Sequence, residues 1–361
     1  MNFGGHTRMS EQTPSSHVFV EPNLVSASEI VPEKLAWLWP GRIPLGKITL
    51  LFGDPGLGKS LVTVDLASRV SRGAAWPDEV GGVPRQSGEE RKPGRVVMLS
   101  AEDDPADTIV PRLRAARADL TKVELMNGVR STDGKTRFFD MGEDLCVLKL
   151  ALDMLGDVRL VIVDPLSAYL GQTDTHKNAD VRGLLAPLAE LAAKYRVAVL
   201  CVTHLNKAQG GRALYRATGS LAFVAAARAA WVVCEDQTDK GRRLMLPAKM
   251  NLAKDTTGMA FSVVSVPAEE VGAVAWEPVP VDMTADEAMD GSGVKEKVTG
   301  AIEWLKAVLK DGPLLSGEVE EEAEKWGFSK ATLRRAKEKA GVKSRKRKFG
   351  EKGEWEWYLD A

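Results

Sequence analysis

Residues 51–62 read LLFGDPGLGKSL: an apolar run, three glycines, then a lysine and a serine side by side. Glycine lacks a Cβ, so Gly53, Gly56 and Gly58 free the backbone to turn successive N–H groups inward. The result is a concave anion site at the start of a helix. Asp54, Pro55, Leu57 and Leu61 complete the loop around it. Lys59 supplies a point charge for β and γ phosphates, and Ser60 a hydroxyl for a divalent ion. These residue types at this spacing point to ATP with Mg²⁺.

A phosphate cradle binds, whereas hydrolysis needs further parts. The run LVIVDP places Asp164 at the tip of a buried strand, where its carboxylate can complete a magnesium shell opposite Ser60. LSAEDDP ends another apolar run in three carboxylates. Glu102 comes first after the strand and is placed to polarise a water, while Asp103 and Asp104 have a competing role at a helix start. His204, in VTHLNK, falls at a third strand end, where it is placed to sense the γ-phosphate; a lone histidine also serves as a satisfied structural residue. The polar stretch after it carries Lys207, Arg212 and Arg216, a set suited either to tracking a nucleic-acid backbone or to an ordinary solvated loop.

These side chains need a scaffold that brings strand ends to one edge. Residues 47–52, 95–100, 160–164, 197–203 and 229–235 read as buried strands with helical patterns between them, which predicts an α/β fold with a mainly parallel sheet. Val181, Leu184, Leu185, Leu188, Leu191, Ala192 and Tyr195 share one helical face, with Pro187 expected to kink it. RRLMLPAKM and MAFSVVSV read as strands with no helix between, an antiparallel extension. Residues 1–30 are polar and aperiodic, and are expected to be disordered. The large domain is expected over 31–280 and a linker over 281–296, poor in large apolar residues.

Residues 297–361 make a second, small domain: three helices and an alternating strand, the pattern of a winged helix-turn-helix. Ser329 is expected to cap the third helix. Net charge is −1, yet residues 330–348 hold ten basic residues against one acid, Glu338. Lys330, Arg334, Arg335 and Lys337 on that helix, with Arg345, Lys346 and Arg347 on the wing, are the candidate DNA contacts; a solvated basic helix is the alternative. Cys146, Cys201 and Cys234 have no metal-ligand spacing and read as small core residues. No apolar run reaches the length of a membrane span, and the start lacks a signal-peptide core, so a cytoplasmic protein is expected.

In order along the chain, GDPGLGKS, VVMLSAEDD, LVIVDP, VTHLNK, RATGSLAFVAAARAAWVV and LPAKMN resemble the RepA-type branch of the RecA-like P-loop ATPases over about residues 35–270. The family contains hexameric replicative helicases of plasmids and phages. The resemblance implies Lys59, Ser60, Glu102, Asp164 and His204 in the roles above. It also implies Arg228, in the helix after the Gly-Ser pair, as an arginine finger for a neighbouring subunit, and Lys249 as a cation on a later strand; a helix-surface arginine in a salt bridge is the alternative for Arg228. The implied activity is an ATP-driven DNA helicase or translocase. Single-stranded DNA would lie in a homo-hexameric ring, and duplex or fork DNA would be held by the C-terminal domain. A recombinase-like filament ATPase and a nucleotide-controlled DNA-binding regulator stay open beside it.

Overall fold

The computed structural model describes residues 24–79, 91–171, 173, 177–205, 221–253, 256–289, 293–328, 330–346 and 355–359. The chain divides into two units, Met1–Leu35 and Ala36–Ala361. Of the first, the described residues 24–35 are all exposed, the short turn Ala27–Glu29 included. The rest of the expected disordered tail lies outside the described residues.

The second unit is built on nine strands: β1 (Ile48–Gly53), β2 (Arg95–Ser100), β3 (Val123–Leu125), β4 (Val158–Asp164), β5 (Ala198–His204), β6 (Ala229–Asp236), β7 (Asp239–Met250), β8 (Met259–Val266) and β9 (Val271–Trp276). Their order across the sheet is β9-β8-β7-β6-β1-β5-β4-β2-β3. From β6 to β3 all pairings are parallel, and β7, β8 and β9 extend the sheet antiparallel. The expected extension is there, with β9 as a further strand that the half-buried VGAVAW did not announce.

Parallel strands need both faces covered, because their crossovers lay helices on each side. Side chains alternate along each strand. Leu50, Phe52, Val161, Val163, Val199 and Cys201 therefore enter one core, against α3 (Leu145–Leu155) and α4 (Asn178–Tyr195). Leu51, Leu160, Ile162, Leu200 and Val202 enter the other, against α1 (Lys59–Arg72) and the short α2 (Val110–Ala115). The α4 face predicted from spacing is the buried one, and the helix runs through Pro187 because that residue sits on its exposed side. Cys201 is buried as expected, but Cys146 is exposed, since α3 turns its apolar face away from it.

An aromatic cluster seals the second core. Trp39 stacks on Trp76 at 5.1 Å and meets Trp276 edge-on, while Arg42 lies over the Trp39 and Trp231 rings and pairs with Asp78 at 2.8 Å. Among the described residues no helix is long and apolar enough to cross a membrane.

Residues 281–289 are not a free linker. The short helix α5 (Leu221–Ala226) precedes β6, and α6 (Ala285–Met289) follows the sheet. Val281 and Met283, with Ala285 and Ala288 on α6, are buried in the first core. Small side chains suffice there because the segment lies flat, Val281 bridging Gly258 at 2.8–2.9 Å. Beyond it follow α7 (Gly293–Val308), α8 (Ser316–Lys325) and α9 (Lys330–Lys339), with strands β10 (Leu314–Leu315), β11 (Lys343–Lys346) and β12 (Trp355–Tyr358) paired in the order β10-β12-β11. They share a small core of their own around Leu305, Val319, Leu333 and Trp357. Ser329 lies outside the described residues.

Candidate functional site

The parallel strands all deliver their carboxyl ends to one edge, where an open α/β sheet binds ligands. β1 ends in Gly53, whose register partner on β6 is Val233; a Cβ on Gly53 would lie 2.3 Å from the Val233 carbonyl oxygen. Glycine is therefore required by a close approach. The chain then turns through Gly56 at φ +78° and Gly58 at φ +85°, left-handed conformations, directly into α1. Asp54, Pro55 and Gly56 are exposed at the tip, Leu57 is buried beneath it, and Leu61 is half-buried on the first turn. This is a cradle of backbone N–H groups at a helix start, which fits a polyphosphate.

Lys59 is 5% exposed, and its ammonium donates to the carbonyls of Gly53 at 2.9 Å and Asp54 at 2.8 Å. Burial pushes its pKa below the usual lysine value, opposed by the nearby carboxylates of Asp164, Asp54 and Glu102. Ser60 shares a hydrogen bond with Asp164. Thr63, which the sequence reading missed, donates from Oγ1 to the Ser60 carbonyl at 2.8 Å and lies 3.4 Å from Asp164 Oδ2. Its signal was its place one turn after Ser60, on the same side of α1. Burial raises the Asp164 carboxyl to about 6, with the Ser60 hydrogen bond and the Lys59 charge pulling the other way. A hydroxyl and a buried carboxylate facing each other beside a lysine are the donor set that Mg²⁺ with a triphosphate requires.

Ser100, the last residue of β2, stands in register with Asp164. The acidic row therefore begins beside that carboxylate, and its three members divide their roles. Asp104 accepts from the N–H groups of Ala106 at 2.7 Å and Asp107 at 3.2 Å, capping the π-helical turn Pro105–Ile109. Asp103 pairs with Arg112 at 2.7 Å. Glu102 is exposed, and its charge reaches Lys59, Asp164 and His204. His204 stands in register with Gly53, so its ring sits beside the cradle. Its Nδ1 is buried and has no hydrogen-bond partner among the described residues. Burial, then the Lys59 charge, lowers its pKa, so the imidazole is neutral at pH 7. An orphaned buried nitrogen beside a polyanion cradle fits a ligand oxygen.

A family model for the AAA domain matches residues 15–210, more than half of the chain. The chain belongs to the AAA domain family. No curated protein gives a significant match to it. Membership implies a P-loop nucleotide site in this domain, of the kind that hydrolyses nucleotide.

Arg228, expected as a finger for a neighbouring subunit, and Lys249, expected as a cation on a later strand, both lie away from this cradle. Arg228 is in the bend after α5, not in the helix, because its N–H pairs with the Ile48 carbonyl at 3.1 Å and begins the strand. Ala229 opposes Thr49 whereas Val233 opposes Gly53, so Arg228, one residue before Ala229, is separated from the cradle by about 16 Å of strand. Lys249, opposite Ala230, donates to the carbonyls of Val224 at 2.7 Å and Ala227 at 2.9 Å, closing the end of α5. Burial lowers its pKa first and the Arg228 charge second, which places the two cations together at the amino edge.

Of the basic residues picked for nucleic acid, Lys207, Arg212, Arg216 and Arg347 lie outside the described residues. Lys330 opens α9. Arg334 and Lys346 are exposed. Lys337 folds over the Trp357 ring at 4.1 Å and donates to Ser344 Oγ at 2.5 Å. Arg345 pairs with Glu356 at 3.2 Å over the Tyr358 ring. Arg335 turns into the body of the chain, 3.4 Å from Met283 Sδ.

Proposed function

We propose that this AAA domain powers a DNA helicase or translocase of RepA type, hydrolysing ATP between subunits of a homo-oligomeric ring. The reading rests on the separation of the cations. Lys59 stands with Ser60, Asp164, Glu102 and His204 at the carboxyl edge, while Arg228 and Lys249 stand together at the amino edge. An exposed cation remote from its own cradle suits the cradle of a neighbour, where an arginine stabilises transition-state charge.

Within one chain the division of labour follows from position. Lys59 and the loop N–H groups hold the phosphates, and Ser60 with Asp164 would hold Mg²⁺, which when bound neutralises phosphate charge. Glu102, free of the cap and the ion pair that occupy its neighbours, orients a water and takes its proton on a carboxylate oxygen. His204, neutral, donates to or releases a phosphate oxygen and so links phosphate loss to the segment that follows it. The helix, strand, helix, helix and paired-strand order of the described residues in 293–358 suits a winged helix, and the exposed Arg334 and Lys346 suit a duplex or fork backbone.

Strand displacement on forked DNA tests this reading. The parent chain is expected to displace a strand only with ATP. Glu102→Gln is expected to bind ATP yet neither hydrolyse it nor displace the strand. A parent that binds DNA and never separates strands leaves the regulator reading in its place, which the inward-turned Arg335 favours.

A further inference from the structure

A cleft of about 170 Å³ opens along α1, between it, α2 and β9. Its lining is mixed, with the apolar Leu61, Val64 and Val274 set among the charged Arg69, Arg72, Arg112 and Arg117. Two of those charges are neutralised within the chain, Arg69 by Asp65 and Arg112 by Asp103, each at 2.7 Å. Arg72 donates to Ser68 Oγ at 3.1 Å and to the Ala116 carbonyl at 3.5 Å, and among the described residues neither it nor Arg117 has a carboxylate partner. A cavity of this size holds one aromatic ring. Guanidinium groups over the ring face add to its attraction. The cleft therefore fits an aromatic side chain flanked by carboxylates.

The chain carries that combination on another surface. α8 exposes Glu318, Glu321 and Glu322, none of them ion-paired among the described residues. Trp326, at the end of the same helix, is 66% exposed. Steps of four residues align 318, 322 and 326 along one face. An aromatic ring beside acids that the described residues leave unpaired is the complement of an arginine-lined cleft.

We propose that α8 of one copy docks in this cleft of a second copy, with Trp326 seated against Leu61, Val64 and Val274 and Glu318 and Glu322 facing Arg72 and Arg117. The two surfaces differ, so the contact is heterologous and propagates head to tail, closing a ring or running as a filament. It deepens the reading above, on which it rests, by naming the surfaces that join subunits.

Mass photometry of the full chain with ATP, at low and high salt, tests it. Trp326→Ala, Glu318→Lys with Glu322→Lys, and Arg72→Glu with Arg117→Glu are each expected to weaken association by about tenfold or more. Mixing the two charge-reversed chains restores it, because every mixed contact regains opposite charges. Retained binding of a fluorescent ATP analogue shows that each variant is folded. A parent that stays monomeric, variants that assemble like the parent, or a mixture that stays apart each overturn the proposal. ATP turnover of the parent is read on the same samples: its absence counts against the motor, while association alone decides the contact.

Discussion

Ser60 and Asp164 share a hydrogen bond across the carboxyl edge of the sheet, and this bond opposes the burial that raises the Asp164 carboxyl to about 6. In an unfolded chain that carboxyl titrates near about 3.9. The fold therefore binds the proton more tightly than the unfolded chain does. Its stabilising effect is complete below the unfolded value and is lost as pH rises through about 6. Protein free of metal and nucleotide is expected to lose about 2–3 kcal/mol at this residue between pH 4 and pH 7. Urea titrations of the parent and Asp164→Asn check it. The variant should be the more stable at pH 7.5 and equal to the parent at pH 4, with turnover abolished. A less stable variant at pH 7.5 would show that the carboxylate is held by partners rather than strained by burial.

Gly53 admits no side chain, because the Val233 carbonyl of β6 occupies the space. Gly53→Ala forces β1 and β6 apart at the point where the cradle begins. Overpacking of this kind costs about 1–3 kcal/mol. The displaced loop is expected to weaken ATP-analogue binding much more than the stability loss alone explains. Gly56→Ala separates the two effects, since nothing lies within 4 Å of a Cβ there and only the φ of +78° is strained. Equal binding losses in both variants would argue against the close contact as the cause.

The cradle was legible in the sequence because glycine, lysine and serine act there through backbone freedom and local spacing. The parallel strands were legible because apolar residues run continuously through them. Other features were set by partners distant in the chain. Trp39, Trp76 and Trp276 form one cluster from three separate stretches, so no local pattern announces it. The alanine-rich pattern carries the helix through Arg228, yet pairing with β1 ends it at Ala226 and leaves Arg228 in the bend before the strand. Residues 281–289 look like a linker by composition, but small apolar side chains are what a flat segment against a sheet needs. The basic run at 330–348 gave the charge correctly and not its direction, which Trp357, Glu356 and Met283 decide.

Arg228 and the cradle of its own chain are too far apart to act together, so two defective chains should complement each other. Arg228→Ala is expected to lower turnover by roughly a thousandfold while leaving ATP binding intact. Glu102→Gln is inactive for a different reason and still presents Arg228. In a mixture, an Arg228→Ala cradle beside a Glu102→Gln neighbour has all its parts, so ATP turnover should recover to a fraction set by the mixing ratio. A mixture as inactive as either variant alone would remove Arg228 from the reaction.

Arg335 joins the C-terminal helices to the nucleotide domain. Its guanidinium lies 3.4 Å from Met283 Sδ and in the field of Asp236, at the end of the strand that flanks β1. Burial lowers its pKa first, and the Asp236 charge opposes that. Asp236 is also held by Arg242 at 2.6 Å, which in turn grips Glu277 with two bonds of 2.6 and 2.7 Å. The joint is thus anchored on β6, the neighbour of the cradle strand. Arg335→Glu sets like charge against Asp236 and Glu287 and should release residues 281–289 from the first core. Limited proteolysis reads this directly, because chain cut between residues 281 and 289 must first leave the core it packs on. Cleavage there is expected to rise several-fold, with Arg335→Lys intermediate and ATP-analogue binding unchanged. Unaltered cleavage in Arg335→Glu would mean that the small apolar contacts of α6 hold the segment without it.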